Sequence, residues 1–180
     1  MLLPLRQIIE NPLIDEASII EALSSFTCKR DADVQNFLRE SAIPFEQQQW
    51  TVSFLLFNDE EAANRRLKLD GYFSLALKVF YFDDSVSKRK RRKMSGYADD
   101  QVPAYLIGQL ARSDDAPKGT GAILLNHAIE YIKNAQSFDG GKLVYLDCKD
   151  ELLAYYESKG FLPIQKNPDR NDLNQLYVVI

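Results

Sequence analysis

The stretch from residue 104 to residue 135 constrains the fold most. A mostly apolar run, Ala104–Ala111, is followed by a polar break, Arg112–Lys118, and then by Gly119, Thr120 and Gly121. From there apolar residues recur at helical spacing: Ile123, Leu124, Leu125, Ala128, Ile129, Ile132 and Ala135. A short apolar run bounded by turn residues suits a central strand, and a 3.6-residue stripe suits a helix that buries one face. Gly140 and Gly141 interrupt the pattern, and Lys142–Asp147 reads as another strand. Strand, helix and strand in succession make a parallel pair with a crossover, right-handed by the usual connection rule. The chain therefore belongs among α/β or α+β proteins, with helices packed on a sheet.

The flanking sequence extends that sheet. Asp15 and Glu16 open a helix with Ile19, Ile20, Leu23 and Phe26 on one face. A second helix starts near Asp31 or Asp33 and carries Val34, Phe37, Leu38, Ala42 and Phe45. Pro44 should bend or stop it, since proline has no N–H to return to the preceding turn. Trp50–Phe57 and Leu69–Phe82 are rich in aromatic and β-branched residues and read as strands, the second alternating loosely enough to be bulged. Asn58–Arg66 makes a polar connection between them. Asp150 and Glu151 open a short helix, Lys159 occupies its last turn, and Gly160 suits a left-handed cap. Phe161–Gln165 and Leu176–Ile180 are the remaining strand candidates. Phe80–Phe82 serves either as core or as a homodimer interface.

At 180 residues the chain is sized for one domain, residues 1–180, with a core that needs no cross-links. Two cysteines and one histidine exclude a disulfide framework and lack metal-site spacing. Pro4, Arg6 and Glu10 break the N-terminal apolar run, and no uncharged stretch of about 18 apolar residues occurs. The expectation is a cytoplasmic protein with no membrane partner.

The charge is uneven. The net charge is −4, yet residues 88–93 read Lys-Arg-Lys-Arg-Arg-Lys. Residues 83–101 thus predict a long, solvated basic loop within the single domain. Its functional reading is electrostatic: six cations together could neutralise the phosphates of tRNA, and Tyr97 could stack on a base. The acidic balance of the rest of the chain argues against a broad nucleic-acid face.

The junction Leu106–Leu125 carries the chemistry. Where a strand ends in a glycine turn and a helix begins, the first helical N–H groups lack intrahelical partners and the helix dipole adds positive charge. Gly119 and Gly121 let the backbone approach a ligand, and Lys118 adds a cation. On spacing alone this is equally an anion site or a plain turn at a helix start.

The segment 103–161 resembles the GNAT superfamily of N-acetyltransferases. One block is the strand Leu106–Arg112 with the loop Ala116-Pro117-Lys118-Gly119-Thr120-Gly121 and the helix start Ala122–Leu125. The other is the strand Val144–Cys148 followed by Ala154, Tyr155, Tyr156, Gly160 and Phe161. The likeness continues upstream through Phe26–Cys28, Asp33–Leu38 and Gly71–Ala76, loosely, to a bacterial branch that includes toxins acetylating aminoacyl-tRNA. The resemblance implies a mixed, mostly antiparallel sheet with helices on both faces, splayed at the cofactor strand. It implies acetyl transfer from acetyl-CoA to a primary amine by direct attack. Lys118, Gly119, Thr120, Gly121 and Ala122 would cradle the pyrophosphate. Leu110, Ala111 and Arg112 would run beside the pantetheine arm, and a backbone N–H there would stabilise the oxyanion. Tyr156 would return a proton to the CoA thiolate; its alternative is a core tyrosine.

No general base stands out, and the acceptor is unidentified. Ala116 and Pro117 depart from the family loop, where Arg or Gln and then glycine are usual, and Pro117 removes one donor. A catalytically silent binding module is the third reading they motivate. His127 reads as a packing or surface residue and Cys148 as a buried small hydrophobe, while Asp147 and Lys149 lie at a strand end where a CoA contact is not required.

Overall fold

The structure, a computed structural model, describes residues 1–64 and 66–180. In chain order it contains β1 (Leu2–Pro4), α1 (Leu5–Ile9), α2 (Glu16–Ser25), α3 (Ala32–Asn36), a π-helical turn at Phe37–Ser41, α4 (Ala42–Gln47), β2 (Val52–Phe57), α5 (Asp59–Ala63), β3 (Leu69–Tyr81), α6 (Lys88–Ser95), β4 (Gln101–Arg112), α7 (Thr120–Asp139), β5 (Leu143–Cys148), a 3-10 turn at Asp150–Leu152, α8 (Leu153–Glu157), β6 (Leu162–Lys166) and β7 (Asn174–Val179). The strand order is β1-β2-β3-β4-β5-β7-β6. β4 and β5 pair in parallel, as the crossover through α7 requires, while β1–β2, β2–β3, β5–β7 and β6–β7 pair antiparallel. The sheet is thus mixed and mostly antiparallel, as the family resemblance implies.

The chain divides into two compact units, Met1–Ala76 with Gln109–Ile129, and Leu77–Gly108 with Glu130–Ile180. Each is described on its own.

In the first unit, β2 pairs antiparallel with β1 and with β3, and the register shifts at Leu56 and Phe57. The core gathers Leu5, Leu23, Phe26, Leu38, Leu55 and Tyr72, each at most 2% exposed. Asp15 and Asp31 cap α2 and α3, their carboxylates accepting from Ser18 N–H and Asp33 N–H. Ile20, placed on the apolar face by spacing, is instead 49% exposed. Two short elements escaped the sequence pattern. β1 has three residues, and α5 sits inside the polar connection, where Asn58 accepts from Glu61 N–H.

Pro44 does not stop its helix, which runs on to Gln47. The π-helical turn precedes it, with Ala42 N–H donating to Phe37 C=O five residues back. That inserted residue puts Pro44 in the first turn of α4, where a missing N–H costs no hydrogen bond. At the far end of α4, Glu46 is 2% exposed. Its carboxylate accepts from Ser53 N–H at 2.8 Å and lies 3.4 Å from the Arg6 guanidinium.

In the second unit, β7 pairs antiparallel with both β5 and β6. Phe80, Phe82, Met94, Val102, Tyr145 and Tyr177 form its core. Phe80 and Phe82 are therefore core residues, while Tyr81 between them is 62% exposed.

The largest departure from the sequence reading is residues 83–101. The basic run is a helix, α6. Ser87 caps its start by accepting from Lys90 N–H, and Gly96 closes it at φ +89° with its N–H on Arg92 C=O. Arg91 and Met94, one turn apart, face inward and are 4% and 1% exposed. Arg91 donates to Val86 C=O at 2.7 Å and Asp83 C=O at 3.1 Å, pairs with Asp100, and lies 5.6 Å over the Phe82 ring. One of the six cations is thus a structural bolt. Lys88, Arg89, Arg92 and Lys93 remain exposed.

No helix among the described residues is long and apolar enough to cross a membrane. No group of three metal-ligating side chains occurs among them either.

Candidate cofactor site

The strand end and glycine turn singled out by sequence fall in the first unit. The parallel ladder of β4 with β5 covers Tyr105–Ile107 only, while β4 runs on to Arg112. Past Ile107 the strand leaves that ladder, which frees backbone groups on one edge. Leu110 is half-buried, Ala111 is buried and Arg112 is exposed. Gly71 on β3 explains how closely the neighbouring pieces meet. A Cβ there would lie 2.6 Å from Ala111 C=O and 2.7 Å from the Leu124 side chain of α7. Glycine is needed for α7 to seat against the strand pair.

The loop after Arg112 is fixed by its own polar groups. Ser113 N–H donates to Asp70 C=O at 2.8 Å, and Asp114 N–H to Thr27 C=O at 2.9 Å. The Asp114 carboxylate accepts from Lys29 N–H at 3.2 Å. Arg112 folds back so that its guanidinium donates to the carbonyls of Ser113 and Ala116, both at 3.2 Å. Ala116 N–H turns inward to Ser113 C=O.

The helix start then spends some amides and spares others. The Thr120 hydroxyl donates to Pro117 C=O at 2.8 Å, and Thr120 N–H does so at 3.3 Å. Ala122 and Ile123 N–H donate to Gly119 C=O. Among the described residues the N–H groups of Lys118, Gly119 and Gly121 have no partner. Of the five amides expected to form the cradle, Thr120 and Ala122 are therefore engaged inside the turn, and three remain for an anion. Gly119 has φ +97°, and nothing lies within 4 Å of where its Cβ would be. Its backbone is of the left-handed kind and opens onto free space. Three unpaired donors and the positive end of a 20-residue helix suit a phosphate or diphosphate.

Tyr156 lies in the second unit, on α8. Its side chain is 7% exposed, edge-on to Phe161 at 5.9 Å and to Tyr155 at 5.1 Å. Gly160 at φ +89° ends the helix, and Phe161 N–H returns to Tyr156 C=O at 3.1 Å. Burial first, then the neighbouring Tyr155 and Cys148, push the Tyr156 phenol well above its ordinary range. It therefore stays protonated at neutral pH. Its hydroxyl has no hydrogen-bond partner among the described residues, and it is not one of the sealed, unsatisfied atoms. The Tyr155 hydroxyl is sealed and unsatisfied.

Burial pushes the Cys148 thiol up to about 11, which suits a buried small residue rather than a nucleophile. Asp147 is half-buried and its carboxyl is raised by desolvation. His127 is half-buried on α7. Sequence reasoning missed Gly71 as a packing requirement, and Asp114 and Thr120 as loop fasteners. Only their polar or small character marked them.

No protein-family model matches the chain, and no curated protein matches it. Solved structures do. AtaT complexed with acetyl-methionyl-tRNAfMet superposes with a TM-score of 0.68 at 19% identity, over 87% of this chain and 86% of that one. AtaTR bound with AcCoA gives 0.69 at 16% identity, over 99% and 92%. A tyrosine-to-phenylalanine mutant of KacT gives 0.69 at 19% identity, over 87% and 86%. The chain has the fold of these proteins, the GNAT fold implied by its two sequence blocks.

Proposed function

We propose that this protein is an acetyl-CoA-dependent N-acetyltransferase. The observation that carries the reading is the trio of unpartnered amides at Lys118, Gly119 and Gly121 on the start of α7, in a fold whose solved examples include one bound with AcCoA. The trio would hold the cofactor's diphosphate, with Lys118 as an added cation. The released edge of β4 at Leu110–Arg112 would pair with the pantetheine amides. A backbone N–H of that edge would stabilise the tetrahedral oxyanion, a contribution of about 3 kcal/mol for one good donor. Tyr156, whose hydroxyl has no hydrogen-bond partner among the described residues, would donate to the departing thiolate. The loss of an amide at Pro117 is tolerated because the three free donors lie beyond it.

Saturating acetyl-CoA is expected to raise the melting temperature of the purified protein. An unchanged melting temperature, with no heat on titration, would leave a silent module as the correct reading. Tyr156→Phe is expected to lower turnover and leave acetyl-CoA affinity alone.

A second reading concerns the acceptor. The amine would be that of an aminoacyl-tRNA, with the exposed cations of α6 taking phosphates. The neighbour complexed with acetyl-methionyl-tRNAfMet and the ordered basic helix favour it. Induced expression should then arrest growth, and Tyr156→Phe should relieve the arrest.

A further inference from the structure

The second unit holds an open pocket of about 580 Å³ that neither the cofactor loop nor Tyr156 lines. Its walls come from two segments, the end of β3 with the turn after it (Tyr81, Phe82, Asp83, Ser85) and the end of β6 with the loop that leads to β7 (165–169 and Asn171). Both are fastened. The Gln165 side chain accepts from Asp83 N–H at 2.8 Å and donates to Tyr81 C=O at 2.9 Å and to Gln175 at 2.7 Å. One amide thus clamps the first wall on both sides of Phe82 and ties it to the terminal hairpin. From the other direction Arg91 of α6 donates to Asp83 C=O and Val86 C=O. The basic helix and the pocket share a wall, and Ser85 is only two residues from Ser87, the α6 cap. A volume of this size lies within the usual range for small-ligand sites.

The lining has a consistent chemistry. Tyr81 offers a ring that is 62% exposed although its neighbours Phe80 and Phe82 are buried. Asp169 brings a carboxylate and Asn171 an amide, while the Asp83 carboxylate already accepts from Ser85 N–H at 2.8 Å and the lining Lys166 pairs with Asp150. The Asn167 side chain is consumed in holding its own loop, accepting from Asp169 N–H and Arg170 N–H at 2.9 Å. An aromatic face with the Asp169 carboxylate beside it fits a flat heterocycle that carries an exocyclic amine. Carboxylates accept from the cytosine amine, and aromatic side chains stack on unpaired bases. Phosphate falls to α6 next door, which supplies four exposed cations.

We propose that this pocket takes one unpaired, amino-bearing base of a single-stranded RNA, cytosine or adenine, while α6 holds the adjoining phosphates. The inference deepens the aminoacyl-tRNA reading and rests on it for its biological setting, but its binding test needs no acetyl transfer. Single-stranded recognition of this kind joins a cationic track to a stacking platform.

The test is fluorescence anisotropy of labelled hexanucleotides on the full chain without acetyl-CoA. Oligo-C and oligo-A should bind about tenfold tighter than oligo-U, the lower range for one discriminating base contact. Asp169→Asn should remove most of that difference, whereas Tyr81→Ala should weaken all three oligomers through lost stacking and Tyr81→Phe should keep them. Changing Lys88, Arg89, Arg92 and Lys93 to Gln should weaken all three oligomers alike and flatten the salt dependence. Equal binding of the three oligomers, or a base preference that survives Asp169→Asn, overturns the proposal. So does loss of binding in both Tyr81 variants alike. A thermal shift with acetyl-CoA on the same sample separates the outcomes: oligonucleotide preference without a cofactor shift leaves this site standing and defeats the acetyltransferase reading.

Discussion

The loop at 113–122, between β4 and α7, and the segment at 83–101, between β3 and β4, are both polar and glycine-bearing, yet they treat their backbones in opposite ways. The 83–101 segment consumes its hydrogen-bonding groups. It forms α6, caps both ends, and sends Arg91 inward to bind two carbonyls and Asp100. The 113–122 loop fastens its flanks through Asp114, Arg112 and Thr120 and leaves three amides unpaired between them. The 83–101 segment is far richer in cations, but what separates the two is the fate of their hydrogen-bonding groups. One conspicuous cation, Arg91, went into architecture on one side, while inconspicuous amides were kept available on the other.

Substitutions should sharpen this contrast. The largest effect is expected at Arg91. Arg91→Ala removes charged hydrogen bonds from a buried site and should cost about 2–3 kcal/mol in urea unfolding, whereas Arg92→Ala should stay within about 0.5 kcal/mol. Equal effects would mean that α6 is a solvated charge run after all. Gly71→Ala comes next. Its methyl meets backbone at Ala111 and should cost about 1–3 kcal/mol, with weaker acetyl-CoA binding as α7 shifts. Gly119→Ala meets no atoms, so only its positive φ is penalised, at about 1–2 kcal/mol. An affinity loss larger than that stability loss would show the new methyl standing in the anion's path. The smallest effect concerns acid. The Ser85 hydroxyl and amide hold the Asp83 carboxyl below its ordinary value. The unfolded chain therefore binds more protons as pH falls through the ordinary carboxylate range toward the lower folded value, and stability declines there. Asp83→Asn should remove that shallow slope from the unfolding midpoint measured between pH 5 and pH 2, about the range over which carboxylates titrate.

The sequence disclosed the elements whose periodicity is long. The crossover from β4 through α7 to β5, both N-terminal caps and the left-handed stop at Gly160 were all legible, because spacing and turn chemistry are local properties. α6 was hidden because its inward face offers Met94 and an arginine, and no periodicity rule counts a buried cation as core. At the candidate site, the residue types around Gly119 announced a helix start. Which amides would remain free depended on Thr120 reaching Pro117 and on Ala116 turning to Ser113, contacts that no spacing encodes. The Gln165 clamp joins residues more than eighty positions apart, beyond any local pattern.

The π-helical turn sets a counting rule for this chain. Because one extra residue is absorbed between Phe37 and Ser41, everything downstream is rotated by roughly 100° from an uninterrupted spiral. Deleting a single position in that turn would return the spiral to ordinary pitch and swing Glu46 off the amide of Ser53. Pro44 would then sit mid-spiral, its ring against a carbonyl. A lone deletion there should disrupt the N-terminal half more than many outright substitutions, and length in this turn is held as tightly as composition.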